Sequence, residues 1–109
     1  MSLFIRLKEG EDMQQYVLVS YDISDQKRWR KVFKLMKGYG EHVQYSVFIC
    51  QLTELQKAKL QASLEDVIHH KNDQVMFVHI GPVKDGQLSK KISTIGKEFV
   101  PMDLKRLIF

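Results

Sequence analysis

Asp22 closes the run Tyr-Val-Leu-Val-Ser-Tyr-Asp-Ile that extends from Tyr16 to Ile23. Its carboxylate therefore stands where an apolar segment meets polar chain, a place where functional side chains are commonly exposed. One carboxylate makes a poor magnesium site. Two of them, one from each copy of a dimer, are adequate, because Mg²⁺ takes one or two carboxylates together with waters and substrate phosphate. The plainer role is structural, with the side-chain oxygen capping the turn that follows. Both roles stand at this point. A second group is the cationic run Lys27, Arg28, Arg30, Lys31, Lys34 and Lys37, with no acid between Gln26 and Lys37. At helical spacing Lys27, Arg30, Lys34 and Lys37 share one side, which suits a phosphate backbone. Each phosphate neutralised adds roughly −0.9 to the slope of log affinity against log salt, and Arg28 and Arg30 can grip phosphate bidentately. The alternative is the solvated face of an amphipathic helix, although such faces ordinarily mix both signs.

Other reactive residue types carry less. His69 and His70 fall at the end of a helical segment, where an imidazolium suits the helix dipole, and His79 lies in an apolar run. No Cys or His spacing resembles a zinc site. Cys50 reads as a small buried hydrophobe. Neither a local Ser-His-Asp or Cys-His pair nor a glycine loop able to cradle phosphate is present.

The elements that position these residues follow from periodicity. Tyr16 to Ile23 reads as a strand buried on both faces, ended by Asp22, Ser24 and Asp25 as turn and cap residues. Trp29, Val32, Phe33 and Met36 give one apolar helix face over Gln26 to Lys37, with Gly38 and Gly40 as the stop. Glu41 to Cys50 reads as extended chain, with Tyr45, Val47 and Ile49 alternating against Gln44, Ser46, Phe48 and Cys50. Thr53 and Gln56 form a capping-box pattern that opens a second helix, with Leu60, Leu64, Val67 and Ile68 as its buried stripe. Gln74 to Ile80 reads as a further strand, stopped by Gly81 and Pro82. The core from Tyr16 to Pro82 is thus β-α-β-α-β, an α/β arrangement of helices packed on a sheet. Beyond it lie a turn at Asp85-Gly86, a short strand near Ile92 to Ile95 and an apolar tail.

Composition sets the frame. The chain has 109 residues, 44% hydrophobic and 28% charged, with a net charge of +4. That fits one domain over 1–109, divided into an N-terminal extension (1–15), the core (16–82) and a C-terminal strand and tail (83–109). So small a domain gains from an oligomer interface. The single cysteine excludes an internal disulfide and makes the cytoplasm the default compartment. No apolar run approaches the length that spans a membrane, and the charged N-terminus shows no secretory leader. Mild basicity permits a nucleic-acid partner.

The segments YDISDQKRWRKVFKLMKGYG and VQYSVFIC, in this order and spacing, closely resemble the second universal CRISPR-associated adaptation protein family (Cas two), the small partner of the Cas one integrase in antiviral defence. The resemblance covers roughly Tyr16 to Val83. It implies a ferredoxin-like βαββαβ fold and a homodimer, with Glu41 to Cys50 split into two hairpin strands near Gln44 and Tyr45. It also implies a fifth strand within Ile92 to Lys97 that joins the partner's sheet, and binding of duplex DNA in the spacer-acquisition complex. A Mg²⁺- or Mn²⁺-dependent endonuclease activity is implied for some members. On this reading Asp22 and its symmetry mate lie near the two-fold axis and hold the metal, while Tyr21 and Phe48 support the dimer or the core. Two positions depart from the pattern: Trp29 stands where many relatives carry arginine, and His42 where arginine often precedes Val-Gln. Relatives usually begin just before the first strand, which points to Met13 as the natural start and to Met1-Ser2-Leu3 as a cloning scar.

Three functions compete. The first is a non-catalytic adaptor that bridges integrase subunits and grips duplex DNA by its backbone, with strong salt dependence and little sequence preference. Its tail, with Val100, Leu104, Leu107, Ile108 and Phe109, docks either on the integrase or on its own dimer partner. The second is a metal-dependent phosphodiesterase that cleaves RNA or DNA at Asp22, with a toxin-type ribonuclease of the same fold as a variant. The third is another ferredoxin-like module. An RNA-recognition motif is disfavoured, because neither Tyr45 to Cys50 nor Gln74 to Ile80 has the Lys/Arg-Gly-aromatic signature. A ligand-binding regulatory dimer has no feature to mark its pocket.

Overall fold

A computed structural model describes residues 13–100. Most of the N-terminal extension, and the tail residues Leu104, Leu107, Ile108 and Phe109, lie outside that range. The order of elements is β1 (Gln15–Asp22), α1 (Gln26–Lys37), β2 (Gly40–Gln44), β3 (Val47–Leu52), α2 (Glu54–Val67), β4 (Gln74–Pro82) and α3 (Gln87–Lys91). The strands form one four-stranded sheet in the order β2-β3-β1-β4, and every neighbouring pair is antiparallel. This is the ferredoxin-like βαββαβ fold, with a short helix added at its end.

The helices begin where the capping residues place them. The Asp25 carboxylate accepts the Arg28 N–H at 3.0 Å and opens α1. The Thr53 hydroxyl accepts the Gln56 N–H at 3.1 Å while the Gln56 side chain accepts the Thr53 N–H at 2.9 Å, so the capping box is complete. Gly38 ends α1 in an ordinary right-handed conformation, its N–H donating to Leu35 O at 3.1 Å. Gly40 has no room for a side chain. A Cβ there would stand 2.5 Å from Cys50 Sγ and 2.6 Å from Ile49 O, because β2 lies tightly against β3 at that point.

Alternation along β1 decides what each face of the sheet meets. Val17, Val19 and Tyr21 join Phe48, Cys50 and Leu52 of β3 beneath Val32 and Met36 of α1 and Leu60 and Leu64 of α2, in one buried core. The opposite face carries Tyr16, Leu18, Ser20 and Asp22. There α3 and the chain after it cover one part, with Leu88 buried against Tyr16 and Ile49, and with Ile80, Val83, Ile92 and Phe99 packed around them. The remainder is open: Met76 and Val78, paired with Ser20 and Leu18, are 50% and 42% exposed. β1 is therefore buried fully on one face and only in part on the other.

The hairpin that the resemblance implies is present: Glu41 to Cys50 splits at the two-residue turn Tyr45-Ser46. Among the described residues no non-glycine residue has positive φ, so the turn is not of the primed type that favours Asn-Gly. Instead the register slips between His42 and Gln44, and the bulge at Val43 absorbs the twist. Within this single chain Ile92 to Lys97 pairs with no strand of its own sheet, and the pairing that the resemblance implies is with a second copy. Ile92 is the extended residue that ends α3, and its side chain packs against the second cluster. β4 also runs past its expected stop to Pro82, bulging beside Gly81. As an edge strand it tolerates that proline.

Candidate functional site

Asp22 is exposed at the end of β1, and by alternation it lies on the side of the sheet that α1 and α2 leave uncovered. Among the described residues its carboxylate has no hydrogen bond or ion pair. The turn that follows is capped by Asp25, so the structural role weighed for Asp22 belongs to its neighbour.

Lys27, Arg30, Lys31, Lys34 and Lys37 are all exposed on α1. None of these five forms an ion pair with an acid among the described residues. Arg28 is different. Its Nε donates to Asp73 Oδ2 at 2.7 Å and its Nη2 to Asp73 Oδ1 at 3.3 Å. Asp73, with its side chain fully buried, also accepts the Ser24 N–H at 3.0 Å, the Ser24 hydroxyl at 3.1 Å and the His69 N–H at 2.8 Å. The Arg28 guanidinium is the main cause that holds the Asp73 carboxyl well below the usual carboxylate range, helped by those N–H and hydroxyl donors. Arg28 thus serves the junction between the β1–α1 loop, the end of α2 and the start of β4. Asp73 escapes a reading of the sequence because an aspartate between a helix and a strand looks like an ordinary turn residue. The only trace is the long-range arginine it needs, and spacing does not show that.

The aromatic residues form a continuous layer on the other flank of α1. Tyr21 and Phe48, both buried, have ring centroids 6.3 Å apart. Trp29 stacks on Phe33 at 5.2 Å and on Tyr45 at 4.9 Å, and its Nε1–H donates to Ser46 Oγ at 3.0 Å. His42 packs on Phe33 and Phe48, each at 5.0 Å, so it sits in this layer rather than on the cationic stripe. Trp29 is consequently a packing residue that ties α1 to the hairpin. Burial, with the neighbouring Tyr45, pushes the Tyr21 phenol up to about 12, and burial pushes the Cys50 thiol up to about 12. Neither group supplies a base or a nucleophile near neutral pH. Among the described residues no cluster of three His, Cys, Asp or Glu side chains could hold a metal.

The family described as "CRISPR associated protein Cas2" matches residues 13–88. The chain belongs to the Cas2 family. It is 39% identical over 90 residues to a CRISPR-associated endoribonuclease Cas2 of Geobacter sulfurreducens, covering 83% of this chain and 93% of that one. With a protein of the same description from Rhodospirillum rubrum it shares 41% identity over 91 residues, 84% of this chain and 87% of the relative. Among solved structures, the Cas2 of Streptococcus pyogenes superposes with a TM-score of 0.63 at 31% identity, over 74% of this chain and 99% of that one. A hypothetical protein from Thermus thermophilus superposes at 0.67 and 30% identity, over 81% and 98%. The Cas2 match spans Asp22, the whole of α1 and the hairpin, so this is a CRISPR-associated protein with the ferredoxin-like fold of that family. No helix among the described residues is long and apolar enough to cross a membrane.

Proposed function

We propose that two copies of this chain form a homodimer that binds nucleic acid along α1 and hydrolyses phosphodiester bonds at a site built from both Asp22 carboxylates. It does so as part of the CRISPR adaptation machinery, beside the Cas one integrase and in the cytoplasm. The observation that carries this reading is Asp22 itself, an exposed carboxylate with no partner among the described residues, on the same side of the sheet as the exposed apolar Met76 and Val78. A second copy laid on that side removes the apolar surface from water and sets its own Asp22 along the same seam.

The donor set suits Mg²⁺ or Mn²⁺. Carboxylate oxygens are hard ligands, and a single chain offers too few of them, so the second Asp22, waters and substrate phosphate would complete the shell. A divalent ion held there would supply charge neutralisation and an activated water. The chain's own residues do the rest. Asp73 fixes Ser24 and Arg28 just beyond Asp22 and so holds the end of β1 in place. Lys27, Arg30, Lys34 and Lys37 hold flanking phosphates of RNA or DNA. Because the relatives are described as endoribonucleases, RNA is the first substrate to test.

Labelled RNA and duplex DNA, incubated with Mg²⁺, Mn²⁺ or EDTA, give the test. Cleavage that needs metal and falls at least a hundredfold in Asp22→Asn, with an unchanged melting temperature, is the expected result. A second reading has its own observation: five cations on α1 that form no ion pair among the described residues also suit an adaptor that only holds duplex DNA. No cleavage, with tight salt-sensitive duplex binding by both proteins, would favour it.

A further inference from the structure

Tyr45 occupies the tip of the hairpin with 77% of its surface exposed, more than a tyrosine needs for the packing it does. One face of its ring lies on Trp29, with centroids 4.9 Å apart and planes 27° from parallel. The other face is open. The hairpin tip is also held firmly from beneath. Ser46 O accepts the Tyr21 N–H at 3.0 Å, Ser46 Oγ accepts the Trp29 Nε1–H at 3.0 Å, and His42 Nε2 lies 3.1 Å from Tyr45 O. A flat ring pre-set in this way loses little freedom when something stacks on it.

Helix geometry supplies the neighbour. At about 100° per residue, Trp29 and Phe33 lie on the flank of α1 that borders Arg30, Lys34 and Lys37. Lys37 Nζ sits 5.5 Å from the centroid of Phe33, which confirms that border. A strand whose phosphates follow Arg30, Lys34 and Lys37 thus runs along the flank of α1 that carries Trp29, the ring on which Tyr45 is stacked. Duplex bases are already stacked on both sides and have no free face to give. An unpaired base has one, and aromatic rings beside a cationic groove are the usual platform for it.

We infer that Tyr45, backed by Trp29, is a stacking site for an unpaired nucleobase of single-stranded RNA or DNA whose phosphates lie on α1. The inference rests on the reading of α1 as the phosphate-binding face. It adds a preference for single strands that the cations alone do not give.

The experiment measures binding of a labelled oligothymidylate and of a duplex of equal length, at fixed salt, to the wild type, Tyr45→Leu and Tyr45→Phe. Leucine keeps Trp29 covered without offering a flat ring, whereas alanine would expose Trp29 as a substitute platform. Tyr45→Leu is expected to bind the single strand roughly tenfold more weakly and the duplex unchanged, with Tyr45→Phe matching the wild type. The single strand should also quench the emission of Trp29, the one tryptophan of the chain, in the wild type. An unchanged single-strand affinity in Tyr45→Leu overturns the inference and leaves the ring to a protein partner. Equal loss on both ligands overturns it as well. A wild type that binds duplex alone overturns it while the reading of α1 stands, and one that binds neither removes both.

Discussion

Asp73 shows how much of the site depends on a residue with no chemistry of its own. It accepts five hydrogen bonds from Ser24, Arg28 and His69 with its side chain fully buried, and it stands next to Gln74, which pairs with Asp22 across the sheet. A buried carboxylate is stable only with such donors. Replacing it with alanine strands the donors and should lower stability by about 2–3 kcal/mol. The effect has a pH signature. The folded-state pKa of Asp73 is depressed, so its contribution is complete above the ordinary aspartate value of about 3.9 and is lost as pH falls below that toward the folded value. The melting temperature of the wild type should therefore drop between about pH 4 and pH 2 more steeply than that of Asp73→Asn. Parallel acid limbs would contradict the role given to this group. Arg28 teaches the converse point. In the sequence it is one cation among several on α1, and only the fold reveals that it is bound to a residue 45 positions away.

At the scale of elements, α1 makes the plainest claim. If Lys34 and Lys37 each meet a phosphate, their joint replacement by alanine should reduce the salt slope of nucleic-acid binding by roughly 1.8, while leaving the fold intact because both are exposed. An unchanged slope would place the footprint elsewhere. How far these elements were legible depended on whether the signal was local. The α1 face of Trp29, Val32, Phe33 and Met36 and the Thr53–Gln56 capping box are written within one or two turns of chain, and both formed over the expected residues. The split of Glu41 to Cys50 was not written locally, because the hairpin uses a bulge at Val43 in place of a glycine turn. Only the family resemblance marked it. The segment near Ile92 reads as a strand because isoleucine and threonine favour extended chain. Ile92 itself is extended just past the short helix α3 and lies with Phe99 on the side of the sheet that α1 and α2 leave uncovered, so any strand pairing it makes is with a second copy.

The whole molecule is unevenly finished. One face of the sheet is sealed by two helices, while the other is covered over part of its area and leaves Met76 and Val78 open beside Leu18. A cleft of about 570 Å³ runs along the same side, between Leu18, Val47 and Ile49 of the sheet and Ile92 and Phe99 of the chain beyond α3. A protein of this size rarely leaves such a surface to water. If a second copy covers it, the pair Met76→Lys and Val78→Lys should convert a dimer to a monomer in sedimentation, with the core of each chain still folded. A dimer that survives both changes would place the interface elsewhere. On the proposed function the same seam shares one cation between two Asp22 carboxylates. Mn²⁺ titration followed by electron paramagnetic resonance counts that ion. One bound ion per two chains, lost in Asp22→Asn without loss of the dimer, is the expected result. One ion per chain, or binding that survives the substitution, would contradict it.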